Sequence, residues 1–543
     1  MSSGIKIFGG PGTGKTEKII RLMEDELNNV KLDEIGYIVF GREASAEALK
    51  RIMYKTERPK DQLTYFKTFH SMCSRLLNLS KDNLVDNWTH KVDFCRRQGI
   101  HYRPVEVDED PETGILFNKS GPKEDRALGN YLFDVYEWLQ NTSSKTEEFF
   151  MYGVPDSLAD RVSYRLVKNF CDEWQKYKTE RLLYDYPDCL NKVIEKEHTL
   201  PVEVLFVDEF QDVSPLLYKV FSIWKKDVGK FYIGGDDDQS IFSWAGATSD
   251  YLLDEPVSQI INLPTSYRLH SSVLNWAMKI VEPISKRHVK DIKCLKDEGE
   301  IKMIDTMDAF QNIYESWRPN SEVIQERNIY GLFRTRFLLS KFARDLNAMV
   351  IPYNIVNGSS PWTDKFLGTY RAFYAIKNRM PVDREDLDAL FEVVPSRGIL
   401  RYGTKTNVSN MKSQNVPFGE VASMFEMTFD INDLARFINF KHESQKLVQR
   451  DLFMSLNIRN MKPIKREDVT LDLGTIHSIK GGQRGLVFLS NSINGKIENQ
   501  IIEDPELADE ERRLFYVGAT RSSGDLVIMD KFFGKRTFEL PEF

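Results

Sequence analysis

Gly9-Gly10-Pro11-Gly12-Thr13-Gly14-Lys15-Thr16 concentrates in one short stretch the residue types that hold a nucleoside triphosphate. Glycines let successive backbone N–H groups converge on phosphate oxygens, Lys15 reaches the terminal phosphates, and the Thr16 hydroxyl is a ligand for Mg²⁺. A second set lies at Leu205-Phe206-Val207-Asp208-Glu209-Phe210-Gln211-Asp212, an apolar run that ends in paired carboxylates. Asp208 there would hold Mg²⁺, directly or through water, and Glu209 would polarise the attacking water. A third set follows at Gly234-Gly235-Asp236-Asp237-Asp238-Gln239-Ser240-Ile241-Phe242-Ser243-Trp244. Gln239 offers an amide to a γ-phosphate, while Phe242 and Trp244 either stack on nucleic-acid bases or fill a core. Such stacking is worth about 1 to 3 kcal/mol per base and tolerates any base sequence.

Each set needs an element to aim it. Ile5-Lys6-Ile7-Phe8 reads as a strand feeding the glycine loop, and Glu17 to Leu27 as the helix that leaves it. Further β-rich runs at Ile35 to Phe40, Val202 to Val207, Lys230 to Ile233, Asn328 to Phe333, Leu486 to Ser490 and Asp525 to Met529 alternate with helical stretches. That alternation predicts an α/β protein with parallel sheets covered by helices. Residues 81–199 read as a mainly helical insertion in a first α/β domain formed by 1–80 and 200–256. Residues 382–465 read as a smaller insertion in a second α/β domain formed by 257–381 and 466–543.

The chain of 543 residues predicts about three or four domains. Its 41% hydrophobic and 29% charged residues are a globular composition. A net charge of -7 requires any nucleic-acid site to be a local basic groove on an acidic body. The cysteines at positions 73, 95, 171, 189 and 294 form no C-x-x-C pair, which argues against a zinc ribbon or a disulfide framework. No apolar run has the length of a membrane span and the first strand starts at once, so the expectation is a cytoplasmic protein of a bacterial or phage-infected cell, without membrane contact.

The second and third sets, taken with motifs elsewhere in the same order, resemble the UvrD/Rep/PcrA group of superfamily-one DNA helicases. The further matches are Phe40-Gly41-Arg42-Glu43-Ala44 with Leu49-Lys50-Arg51-Ile52, Thr68-Phe69-His70-Ser71, Leu263-Pro264-Thr265-Ser266-Tyr267-Arg268, Thr475-Ile476-His477-Ser478-Ile479-Lys480-Gly481 and Glu511 to Arg521. The resemblance implies two RecA-like parallel-sheet motor domains with ATP and Mg²⁺ between them and single-stranded DNA across the top. It implies catalytic roles for Lys15, Asp208, Glu209, Gln239, Arg268 and Arg521, the two arginines as fingers on the γ-phosphate. Nucleotide contacts would come from Gly9, Gly10, Pro11, Gly12, Thr13, Gly14, Lys15, Thr16, Gln239, Arg268 and Arg521, with Tyr267 stacked on the adenine and Thr16 and Asp208 on the metal. Phe40, His70, Phe242, Trp244, His477 and Lys480 would form the DNA track, with His70 alternatively a packing residue, and His477 and Lys480 either touching DNA or tying it to the nucleotide.

The implied activity is that of an ATP-dependent DNA helicase and single-stranded DNA translocase, 3′ to 5′, working as a monomer on single strands and junctions in replication, repair or recombination. Two alternatives stand beside it: a translocase subunit that strips proteins or serves a separate nuclease, and an ATP-gated DNA clamp without turnover. RNA is not distinguished from DNA by backbone and stacking contacts. Several residues depart from the family pattern. Gln483 stands where a ribose-binding Glu is usual and Ala245 where an Arg follows the tryptophan, and the second insertion is shorter than the family's regulatory subdomain. Weakened autoinhibition is expected, and the compact build suggests a phage or mobile-element version. No glutamine precedes Gly9, so looser selection of adenine is expected as well.

Overall fold

A computed structural model of the chain describes residues 3–40, 50–54, 59, 63–85, 88–104, 108–110, 115–117, 127–153, 158, 160–296, 299–320, 328–411, 413–440 and 443–543. Two six-stranded sheets form its frame. The first runs Phe66–Thr68, Ile35–Val39, Val204–Val207, Lys230–Gly235, Ser3–Gly9, Gln259–Leu263, every neighbouring pair parallel. The second runs Ile301–Ile304, Ser522–Met529, Arg484–Ser490, Ile329–Phe333, Leu471–Thr475, Asn354–Ile355, again parallel throughout. Val204–Val207 and Ile329–Phe333 are buried along their whole length, as parallel strands covered by helices on both faces must be. These are two RecA-like α/β units.

The strands expected from sequence all form, and the short or mixed ones join them. Phe66–Thr68 has only three residues, and Ile301–Ile304 carries exposed Lys302 and Met303 as an edge strand can. Gln259–Leu263 pairs with Ser3–Gly9 from Ile5 opposite Gln259 to Gly9 opposite Leu263, so the first sheet extends past the expected boundary at 256. The second boundary also moves. Between Ile355 and Leu471 the second sheet gains no strand among the described residues, and the excursion already contains helix Asp364–Lys377. Tyr370 and Phe373 of that helix pack on Phe453 at 5.7 and 5.0 Å, and Arg371 grips Asp386 at 2.8 and 2.6 Å. The departure from the sheet thus begins after Ile355, well before 382.

The first insertion is helical, with Thr89–Arg97, Leu128–Thr142 and Tyr164–Arg181 around Phe94, Phe133, Phe170 and Trp174, while Cys189, Leu190 and Val193 of Tyr186–Glu195 pack into the first sheet's core. The same excursion holds the short strands Asp108–Asp110 and Ile115–Phe117, and Leu116 and Phe117 pair antiparallel with Ser359 and Gly358. Inside the helical core lies a charge: Lys178 is fully buried and ion-pairs with Asp185 and Asp188, while its Nζ donates to the Tyr136 hydroxyl at 2.8 Å. Asp185 caps helix Tyr186–Glu195, accepting from the Asp188 N–H at 3.0 Å. The knot therefore fixes where that helix starts. A Lys178→Met variant leaves buried carboxylates without their cation and should lose about 3 to 5 kcal/mol of stability, read from the urea unfolding midpoint.

Candidate active site

The glycine loop leaves strand Ser3–Gly9 and enters helix Lys15–Glu26. Gly12 has φ 71° and Gly14 φ 76°, the left-handed region that glycine adopts without strain. A Cβ at Gly12 would also fall 2.3 Å from the Arg268 Cβ. Lys15 curls over the loop, its Nζ donating to the Gly9 and Gly10 carbonyls at 2.8 and 3.3 Å. Strand Thr265–His270 is fastened to the same loop: Ser266 Oγ donates to the Pro11 carbonyl at 2.8 Å and the Tyr267 N–H to the Gly12 carbonyl at 2.9 Å. This clamp sets Arg268 against the loop and leaves the Tyr267 ring 63% exposed, available to stack on a flat ligand.

Strand Val204–Val207 delivers Asp208 to the mouth of the loop. Thr16 Oγ1 donates to Asp208 Oδ2 at 2.7 Å, and the Glu209 N–H donates to Oδ1 at 2.9 Å. A hydroxyl and a carboxylate in contact beside a phosphate loop are hard oxygen donors suited to Mg²⁺. Burial, with Glu209 alongside, pushes Asp208 up to about 6. Burial opposes ionisation of Glu209 too, but Lys15 and Lys480 outweigh it and hold that carboxyl below its ordinary value. Glu209 itself sits at φ 56°, a strained position for a residue with a side chain. Gln211 steadies it, donating from Nε2 to Glu209 Oε2 at 2.5 Å while its Oε1 accepts the Asp236 N–H at 3.1 Å.

Strand Lys230–Gly235 ends in the turn Asp236–Gln239, where the two halves of the molecule meet. Gln239 Nε2 donates to Asp236 Oδ2 at 2.6 Å, and Gln239 Oε1 accepts from Arg521 Nη2 at 2.9 Å. Lys480 Nζ donates to the Gln239 carbonyl at 2.9 Å and to both Asp212 oxygens at 2.8 and 2.6 Å. Arg521 is buried, and burial together with the charge of Arg268 pushes it down to about 9, so it stays protonated at neutral pH. The structure thus gathers Gly9 to Thr16, Asp208, Glu209, Gln239, Arg268 and Arg521 around one space.

The aromatic set divides into two groups. Phe40 packs on Phe69 at 5.1 Å and His70 on the exposed Tyr186 at 5.0 Å, on the first sheet's side. Phe242 and Trp244 stand edge to face at 6.2 Å, with Trp244 57% exposed and Phe242 partly buried beneath Lys480 at 4.7 Å. Lys480 is therefore committed to Asp212 and Gln239, which favours tying nucleotide to track over gripping DNA directly. Among the matched motif residues, Gly41 to Ala44 and Leu49 lie outside the described residues. Sequence reasoning missed Gln211, Tyr186, and the pair Arg287 and Lys290. Lys290 Nζ lies 3.0, 2.6 and 2.7 Å from Asp236, Asp237 and Asp238, and Arg287 is bidentate to Asp238 at 2.9 and 2.7 Å. Those cations already occupy all three adjacent carboxylates, so Thr16 and Asp208 are the better metal pair. The alternation of Lys and Arg opposite an acidic run was the available signal, at a sequence separation too large to read.

A phosphate loop, a carboxylate-bearing strand end, Arg268 from the two-stranded sheet of Thr265–His270 and Lys293–Lys296, and Arg521 from the second RecA-like unit define a P-loop nucleoside triphosphatase. Residues 1–257 match the UvrD/REP helicase N-terminal domain. The chain is 22% identical to the ATP-dependent DNA helicase Rep of Buchnera aphidicola over 99% of its own length and 96% of that protein. It is 22% identical to DNA helicase II of Escherichia coli over 99% and 84%, and 22% identical to the ATP-dependent DNA helicase PcrA of Bacillus subtilis over 96% and 80%. The chain is thus similar to the UvrD/Rep/PcrA-like helicases over nearly its whole length.

Burial pushes His70 down to about 4, and burial with nearby Arg334 and Lys480 pushes His477 down to about 3. Both rings are neutral at pH 7, and each offers a ring face in place of a charge. In the unfolded chain they take up protons near pH 6.5, so their stabilising contribution is complete above that value and is lost as pH falls toward 4 and 3. The urea midpoint should drop between about pH 7.5 and about pH 5, and drop less in the His70→Gln, His477→Gln double variant.

Proposed function

We propose that the chain is an ATP-dependent DNA helicase that translocates along single-stranded DNA in the 3′ to 5′ direction and opens junctions as a monomer. The observation that carries this reading is Gln239: its side chain joins Asp236 of the first sheet's turn to Arg521 of the second unit, and Trp244 lies a few residues further along the same segment. One short stretch thereby links the nucleotide site to an exposed aromatic. Lys15 and the loop N–H groups bind the β- and γ-phosphates, Glu209 orients the attacking water, and Arg268 and Arg521 stabilise charge on the transferring phosphoryl group. Mg²⁺ on Thr16 and Asp208 would supply charge neutralisation between the terminal phosphates. Loss of the γ-phosphate removes the shared target of Arg268 and Arg521, and the shift is passed through Gln239 and Lys480 to Phe242 and Trp244. Trp244 is braced for this by the first insertion, whose Asn141 Nδ2 donates to the Ala245 carbonyl at 3.4 Å.

ATP hydrolysis should be stimulated by single-stranded DNA and fall about a hundredfold or more in Lys15→Ala, measured by phosphate release. Duplexes with a 3′ tail should be unwound and those with a 5′ tail left intact. Stimulation without strand displacement would make the chain a translocase serving another enzyme, and equal stimulation by RNA would remove the assignment to DNA.

A further inference from the structure

Tyr37 sits at the centre of strand Ile35–Val39, which lies between Phe66–Thr68 and Val204–Val207. With Ile35 and Val39 it faces the core that Ile19, Ile20 and Met23 of helix Lys15–Glu26 complete. Its ring stacks near Phe66 at 6.1 Å and is 2% exposed. A phenylalanine would fill that apolar slot equally well, so the hydroxyl is the informative part of the side chain. A buried tyrosine hydroxyl requires a partner. Here the partner is Asp208 Oδ2 at 3.2 Å, the same oxygen that accepts from Thr16 Oγ1 at 2.7 Å. With the Glu209 N–H on Oδ1 at 2.9 Å, the carboxylate is held by three donors that approach from three different elements.

We infer that Tyr37 is a positioning residue for the metal, whose hydroxyl fixes the Asp208 carboxylate so that it engages Mg²⁺ through metal-bound water. The reasoning is one of capacity. A carboxylate offers about four lone-pair directions; three are engaged by Tyr37, Thr16 and Glu209, and the fourth suffices for a water molecule of the ion's shell. Mg²⁺ sheds water reluctantly and commonly keeps several waters in protein sites. The Thr16 oxygen can give a lone pair to the metal while its hydroxyl still donates to Asp208 Oδ2, but a hydroxyl drawn toward a metal is a movable partner, and the Glu209 N–H holds only Oδ1. Tyr37, anchored in the sheet, gives Oδ2 a second donor that does not move with the metal. Orienting partners of this kind typically change metal affinity about tenfold to a hundredfold.

This inference rests on Thr16 and Asp208 being the metal pair. It is tested by equilibrium binding of a fluorescent, non-hydrolysable ATP analogue titrated with Mg²⁺ from an EDTA baseline. Tyr37→Phe should bind the analogue without metal as the parent does, and require about tenfold more Mg²⁺ for half-maximal tightening. In steady-state hydrolysis the same rise should appear in the Mg²⁺ midpoint, with turnover at saturating Mg²⁺ retained. In an Asp208→Asn background the added Tyr37→Phe change should move metal-free and Mg²⁺-supported binding by less than about twofold. An unchanged Mg²⁺ midpoint in Tyr37→Phe overturns the inference, as does an equal effect of Tyr37→Phe in the Asp208→Asn background, which would assign the tyrosine to packing. A parent whose analogue binding ignores Mg²⁺ would instead overturn the metal pair itself, a distinguishable result.

Discussion

Three consecutive carboxylates at Asp236, Asp237 and Asp238 are buried at the end of a sheet strand, and nothing about the first sheet alone could make that tolerable. Burying a carboxylate without a partner costs several kcal/mol, and three together compound it. Their cation partners, Lys290 and Arg287, arrive from the segment after helix Ser271–Val281, whose Val273, Trp276 and Ile280 pack into the core under Tyr330, Leu332 and Val487 of the second sheet. The acidic turn therefore cannot be satisfied unless the two sheets are docked. His288 adds to the same joint, stacked on Phe8 at 3.8 Å and hydrogen-bonded to Asn262 at 2.8 Å. Because Gln239 closes that turn, its alignment with Arg521 follows from ion pairing rather than from the glutamine's own contacts.

Other cross-sheet contacts are arranged around this fixed joint. Lys480, after strand Leu471–Thr475, joins Asp212, after strand Val204–Val207, and Arg521, just before strand Ser522–Met529, joins Gln239, after strand Lys230–Gly235. Arg334 grips Glu511 at 2.9, 2.8 and 2.6 Å and holds helix Pro505–Ala519, which ends just before Arg521. The polar network is thus graded. Fully enclosed ion pairs sit at the joint, and more open contacts such as Trp244 and Tyr267 lie at its rim, where a ligand can reach them.

Much of this was legible in the sequence because it is local. A strand, a glycine loop and a helix in order fix the phosphate cradle, and a run of apolar residues ending at Asp208 fixes the carboxylate at a sheet edge. The family motifs then placed Arg268 and Arg521 near the loop, although neither position is physically deducible from spacing. What escaped was non-local or short. Lys290 is more than fifty residues from the acids it pairs with. Tyr37 reads as one more apolar strand residue, since its hydroxyl matters only once strand Ile35–Val39 lies beside Val204–Val207. The domain boundaries slipped because Gln259–Leu263 carries Gln259 and Asn262 among its apolar residues, and because Phe453, on which helix Asp364–Lys377 packs, is distant from it in sequence.

The proximity of Arg268 to Arg521 has an energetic consequence of its own. Two guanidinium groups held close by rigid elements repel each other, which is part of why Arg521 loses a proton more readily than an ordinary arginine. Repulsion fixed into the resting fold is released when an anion enters between the pair, and returns when that anion departs. With the proposed roles of these arginines, a diphosphate, one anionic group shorter, would leave more of the repulsion in place than a triphosphate. The length of the phosphate chain would then register in how much of that repulsion remains.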